Sequence, residues 1–191
     1  ELKYKIYGNG ILKIKQTLYP SGVENPELPR FGMKVSVNET FDNLEWFGRG
    51  PHESYWDRKT SAKIDRYKGK VIDQTYKYVR PQETGNKTDI RWLALYNGSI
   101  GLMVKGLPVF DGSVHNYDYA LLDYYKGSQR HGKIDIIKGN QIDLIIDYKQ
   151  MGVGGDNSWG AKPHPKYTLP MDTTVYNLEY AIIPFNKKNE L

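Results

Sequence analysis

The stretch that settles the fold class is YKIYGNGILKIKQTLY, Tyr4 to Tyr19. On either side of Asn9-Gly10, apolar and polar residues alternate: Tyr4 and Ile6 against Lys5 and Tyr7, then Leu12 and Ile14 against Lys13 and Lys15. A period of two is the strand period, and Asn-Gly supplies the positive φ angles of the tight turn that joins two antiparallel strands. The same pattern recurs outward along the chain. MKVSVNE (33–39), VIDQTYKYV (71–79) and TDIRWLALY (88–96) are further strand candidates, and Asn97-Gly98 turns the last of them into IGLMVKG (100–106). KIDII (133–137) and IDLIIDY (142–148) flank Lys138-Gly139-Asn140-Gln141, and TTVYNLEYAII (173–183) reads as a last long strand. These add up to at least eight strands. Only NYDYALLDYYKG (116–127) offers a helical face, with Tyr117, Leu121, Tyr124 and Tyr125 near a 3.6 spacing and Gly127 as a stop. Many strands joined by turn residues, with almost no helix, predict an all-β, antiparallel sandwich of large sheets.

Composition bounds the setting. At 191 residues and 39% hydrophobic content the chain is long enough for one sizeable core, and no break in composition divides it, so a single domain over 1–191 is expected. No apolar run approaches the roughly 18 to 20 residues of a membrane span, so no membrane partner is expected. The chain begins at Glu1 inside a strand pattern and reads as a piece of something longer. The absence of cysteine removes a disulfide framework and a thiol nucleophile but leaves the compartment open between cytoplasm and periplasm. The net charge of +5 raises nucleic acid as a partner. The lysines are dispersed through strands such as ILKIK instead of forming a basic stripe, which fits the solvated face of a sheet better.

Few groups offer chemistry. His52, His115, His131 and His164 lack the spacing of metal ligands, so no metal is expected in this segment, and there is no nucleophile elbow or phosphate loop; carboxylates are plentiful, but sequence alone shows no acid/base pair among them. Three polar, aromatic loop clusters remain: WFGRGPHESYWDR (46–58), VRPQETGNKTDIRW (79–92) and GGDNSWGAKPHPKY (154–167). Flat rings for C–H faces, beside Asp, Glu, Asn, Arg and His for hydroxyls, are the furnishings of a sugar site. His52, Glu83, Arg91 and His164 are candidates to line or support it. The competing reading is structural: Trp46, Trp56 and Trp92 lie in or beside strands and suit a core, and Glu83 with Arg91 suits an ion pair. Trp159 is different, because the glycines around it cannot hold it in a regular element.

GRGPHESYWDRK (48–59), VRPQETGNKTDIRW (79–92) and DYKQMGVGGDNSWGAKPHPKYTLP (147–170), with LPRFGMKVSV (28–37) before them, resemble the C-terminal domain of the large β-galactosidases of glycoside hydrolase family 2, the small-chain region or domain 5. The motifs stand in the family's order and the likeness covers essentially the whole chain. It implies a β-supersandwich of the galactose-mutarotase-like superfamily. It also implies that Trp159 reaches the active-site mouth and stacks on the sugar, with Asp156, Asn157 and Ser158 holding its loop through side-chain-to-backbone hydrogen bonds. The family hydrolyses β-galactosides with retention through two glutamates ~5 to 5.5 Å apart. The resemblance places those glutamates, with the magnesium and sodium sites, in a barrel domain outside this chain, and so implies no catalytic residue in this segment. The implied partners are that barrel, the β-galactoside and, in a homo-oligomer, further copies of the parent. Two other readings stay open. One is a mutarotase-like epimerase using His52 or His164 with Glu83; the other is a stand-alone carbohydrate-binding or structural module.

Overall fold

The computed structural model describes residues 1–20, 27–78, 82–117, 138–157 and 159–186. Among these residues there are nine strands: β1 (Leu2–Ile6), β2 (Leu12–Leu18), β3 (Arg30–Asn38), β4 (Asn43–Gly50), β5 (Lys63–Lys70), β6 (Lys87–Asn97), β7 (Ile100–His115), β8 (Gln141–Gln150) and β9 (Tyr176–Asn186). The opening hairpin forms where its sequence predicts, although its turn centres on Gly8 and Asn9 and only Gly10 of the Asn9-Gly10 pair takes a positive φ. Lys3 faces Lys15 and Lys5 faces Lys13 across β1 and β2, and Gly10 takes φ +84° in the turn, where a side chain would be strained. The turn closes with the Gly10 N–H donating to the Tyr7 carbonyl at 2.9 Å.

Every pairing is antiparallel, in the order β1-β2-β9-β7-β6-β4-β5, with β8 branching from β7 and β3 pairing β8. The length of β7 makes the branch possible. Its first half, Ile100–Gly106, pairs β9, and its second half, Asp111–His115, pairs β8. β7 thus passes from one layer into the other, and the two layers face each other as a sandwich. Ile14, Leu44, Trp46, Leu93, Leu95, Val104, Leu178 and Tyr180 pack in one core with Val114, Ile142, Leu144 and Ile146, and Met33, Val35 and Val37 of β3 close over it. Each such aliphatic or aromatic side chain contributes ~1.5 to 3 kcal/mol on burial.

Two expectations change. VIDQTYKYV is not a strand over its described residues: Val71–Gln74 is a turn of 3₁₀ helix and residues 75–78 are irregular. Local hydrogen bonds hold it so, the Gln74 side-chain amide donating to the Lys70 carbonyl (3.0 Å) and the Tyr76 N–H to the Thr84 hydroxyl (2.8 Å). The strand at this place in the sheet is β5, just before it, whose partner β4 begins at Asn43 and runs on through Gly50, into the cluster read as loop from Trp46 onward. The expected helical face at 117–127 lies, beyond Tyr117, outside the described residues, as does the KIDII strand.

Candidate functional site

The loops at one end of the sandwich carry most of the three clusters, and the structure brings them together. The first meets the second through Ser54 and Asn86: the Ser54 N–H donates to the Asn86 carbonyl and the Asn86 side-chain amide to the Ser54 carbonyl, both at 2.8 Å. Glu53 accepts from the Gly85 N–H (2.8 Å), Arg58 (2.8 Å) and the Tyr78 and Thr84 hydroxyls. Burial acts to raise the Glu53 carboxyl, but these donors outweigh it and hold the group below its ordinary value. The first cluster meets the third through Asp57, which accepts from the Val153 and Gly154 N–H groups, and through Trp56, whose ring meets Tyr167 edge-on at 5.8 Å and has the Lys149 ammonium 4.6 Å from its centroid.

Beneath the loops lies a charged network anchored by Arg30 at the start of β3. Its guanidinium binds Asp147 of β8 (2.8 Å), Gln150 (3.1 Å) and Glu83 (3.4 Å). Burial pushes the Glu83 carboxyl up to about 7 and the Asp147 carboxyl up to about 6, and the shared Arg30 charge only partly offsets this. Lys87, buried above the Trp46 ring at 5.2 Å, is lowered to about 8 by desolvation. A second network joins Arg49 (2.6 Å) and Lys59 (3.0 Å) to Asp89.

The third cluster forms a loop of two limbs. The Gly152 N–H donates to the Tyr167 carbonyl (2.8 Å), Gly154 takes φ +67° and Gly155 φ +113°, and a Cβ on Gly154 would lie 3.3 Å from the Ala161 carbonyl oxygen, so the limbs touch there. The Asn157 side-chain oxygen accepts from the Trp159 N–H at 2.8 Å and the Ala161 N–H at 3.4 Å. The backbone of the tip is therefore bound, while the Trp159 side chain stands in solvent, the residue being 92% exposed. A held but uncovered indole has a free face for stacking.

The other candidates separate. Asp156 pairs His164 at 3.4 Å on the surface of the same loop, and Ser158 lies outside the described residues. His52 is exposed and bonded to the Ser61 hydroxyl (3.0 Å). Arg91 stands over the Phe47 ring at 5.7 Å and donates to the Asp89 carbonyl, so Glu83 has Arg30 as its ionic partner and not Arg91. Trp46 is core, 2% exposed, whereas Trp56 and Trp92 are half-buried. Arg30, Asp57 and Asp147 were missed by sequence reasoning. Their partners lie 53, 97 and 117 residues away, and only the polar character of the segments that carry them hints at a role. Among the described residues no grouping of three or more His, Asp or Glu is arranged to hold a metal ion, and no helix is long and apolar enough to cross a membrane.

The family model described as beta galactosidase small chain matches residues 1–182. The β-galactosidase of Priestia megaterium is 46% identical over 91% of this chain and 16% of its own length. Those of Halalkalibacterium halodurans and Vibrio cholerae are each 32% identical, over 88% and 92% of this chain and 17% and 16% of their own lengths. The chain thus spans about 16% of the length of the curated relatives it matches. With its antiparallel sandwich and a family match over nearly its full length, the chain belongs to the β-galactosidase small chain family.

Proposed function

We propose that this chain is the substrate-shaping part of a longer β-galactosidase, and that it meets the sugar at the mouth of the active site through the indole of Trp159. The observation that carries the reading is the contrast within one residue: the Trp159 backbone is tied to Asn157 while the residue is 92% exposed. Leaving a large aromatic face in water forfeits its burial, and stacking on the C–H face of a sugar ring recovers part of that when substrate binds. In this reading the retaining chemistry, with its two glutamates, magnesium and sodium, belongs to the rest of the longer protein.

The test is steady-state kinetics of the full-length enzyme that carries this chain. Trp159→Ala is expected to raise KM for lactose, or to weaken transfer to an acceptor sugar, by about tenfold, with most of kcat retained. Trp159→Phe should recover part of the loss, because it restores a flat apolar face. Unchanged kinetics in the alanine variant would overturn the reading.

A further inference from the structure

We infer that Asp57 is the positioning residue of the Trp159 loop, a clamp that sets where the indole stands; this rests on the platform reading above. Asp57 belongs to the loop between β4 and β5, nearly a hundred positions before the residues that it holds. Its Oδ1 accepts from the Val153 N–H at 3.1 Å and its Oδ2 from the Gly154 N–H at 2.8 Å. Two successive backbone N–H groups on the two oxygens of one carboxylate form a bidentate, charge-assisted contact, which fixes orientation as well as distance.

The position of that contact gives it leverage. Gly154 is where the two limbs of the loop touch, its Cα hydrogen facing the Ala161 carbonyl. Holding Gly154 therefore places Ala161 too, and Ala161 with Trp159 is what Asn157 gathers at the tip. Between clamp and tip lie only Gly155 and Asp156. The chain is drawn tight against the carboxylate: a Cβ on Gly152 would come within 2.6 Å of Asp57 Oδ2 and 3.0 Å of the Tyr167 Cβ. There is no slack for a longer side chain at position 57 or for any side chain at position 152. On its other side the loop that bears Asp57 is itself braced, by the Ser54–Asn86 hydrogen bonds and by the Tyr55–Arg58 backbone pair, while Trp56 adds a second contact to the held loop through Tyr167. The clamp is thus a stiff arm and not a loose surface contact.

The chemistry distinguishes the substitutions. Asp57→Ala removes both acceptors. Asp57→Asn keeps one acceptor but turns an amide N–H toward the second backbone N–H, so it should rescue poorly. Gly152→Ala leaves the carboxylate in place but wedges it off its partners, and should mimic Asp57→Ala without changing a polar group.

The experiment has two arms. Hydrogen exchange in this chain should show the amides of Val153 and Gly154 opening about tenfold faster in Asp57→Ala and Gly152→Ala, while the amides of β4 and β6 are unchanged. In the full-length enzyme, both variants should raise KM for lactose in the same direction as Trp159→Ala, with kcat retained per folded molecule. A merely structural Asp57 would lower the amount of folded enzyme and leave KM alone. Exchange at 153 and 154 that is unchanged in both variants, or that rises equally throughout the sheet, overturns the clamp. So does faster local exchange with unaltered KM in an enzyme whose Trp159→Ala form has an altered one. If Trp159→Ala itself leaves KM unchanged, the platform reading falls, and the clamp stands or falls on exchange alone.

Discussion

Trp46 and Trp159 are the same residue type placed in opposite surroundings. Trp46, on β4, is 2% exposed, donates its indole N–H to the Arg49 carbonyl at 3.0 Å and packs on Tyr67 at 5.3 Å, with the Lys87 ammonium above it. Trp159 is 92% exposed and, among the described residues, is hydrogen-bonded through its backbone N–H to Asn157. One fills the interior and satisfies its polar atom there; the other keeps both ring faces in solvent. The difference comes from the local sequence. Trp46 stands in a strand whose neighbours Leu44 and Gly48 share its inward face, whereas Trp159 follows a run in which Gly154 and Gly155 adopt backbone conformations that a strand does not use. Residue type sets how much burial can yield, and backbone context decides whether it does.

The strongest test of that contrast is truncation of the buried member. Trp46→Ala removes the largest fully buried side chain in the core and leaves the Arg49 carbonyl without its donor. It should cost about 3 to 5 kcal/mol in urea unfolding of this chain. A loss under about 1 kcal/mol would mean that the β4 face of the core collapses around the space, and the two tryptophans would then differ less than their exposure suggests.

Much of this architecture is legible in the sequence, and the exceptions have physical causes. The β1–β2 hairpin announces itself because its turn and its alternation are local. β8 and β9 are visible as apolar runs for the same reason. The 71–79 segment misleads, because Val71 and Ile72 carry strand propensity while the Gln74 amide, donating to the Lys70 carbonyl, and the Thr84 hydroxyl, accepting from the Tyr76 N–H, bend the backbone away. β4 is hidden by its glycines: Gly48 sits where a Cβ would meet Ile90 at 3.0 Å, a requirement of close packing that in one dimension reads as a loop. The polar clusters can be read as candidates from composition, but their convergence cannot. Arg30 with Asp147 and Asp57 with Gly154 are contacts across most of the chain, and nothing local encodes them.

A middle-sized effect probes the charged network anchored by Arg30. Glu83 is raised from 4.5 to about 7 by burial, so the folded state holds a proton that the unfolded state releases. Its contribution is fully present below pH 4.5 and is lost as pH rises through 7. Asp147, raised to about 6, acts in the same sense, while His115, lowered to about 3 by burial, acts in the opposite one below its ordinary value. The wild-type profile therefore mixes signs, and the useful quantity is the difference between wild type and Glu83→Gln, since glutamine imitates the protonated acid. The two should be nearly equal in stability at pH 4.5. The variant should gain on wild type as pH rises to 8, by on the order of 1 to 3.5 kcal/mol, the upper figure being the whole rise from 4.5 to about 7 at ~1.4 kcal/mol per pH unit. A constant difference across that range would place an ionised Glu83 in the fold at every pH, stabilised by Arg30.

The smallest expected effect is the most discriminating. Trp159→Ala should change the unfolding free energy of this chain by no more than about 0.5 kcal/mol, at an unchanged denaturant slope. The indole covers no core residue, and the bond that orders the tip, from the Trp159 N–H to Asn157, belongs to the backbone and survives truncation. The hydrophobic term cannot contribute much, because the residue leaves almost all of its surface in water in the folded state as in the unfolded one. Its native fluorescence should accordingly be quenched by acrylamide to nearly the extent of free indole, while the Trp46 component stays protected. A loss above about 2 kcal/mol, or an emission from Trp159 shielded as well as that of Trp46, would mean that the ring folds back onto its own loop in solution. The held and uncovered face on which the sugar contact depends would then not exist in this chain.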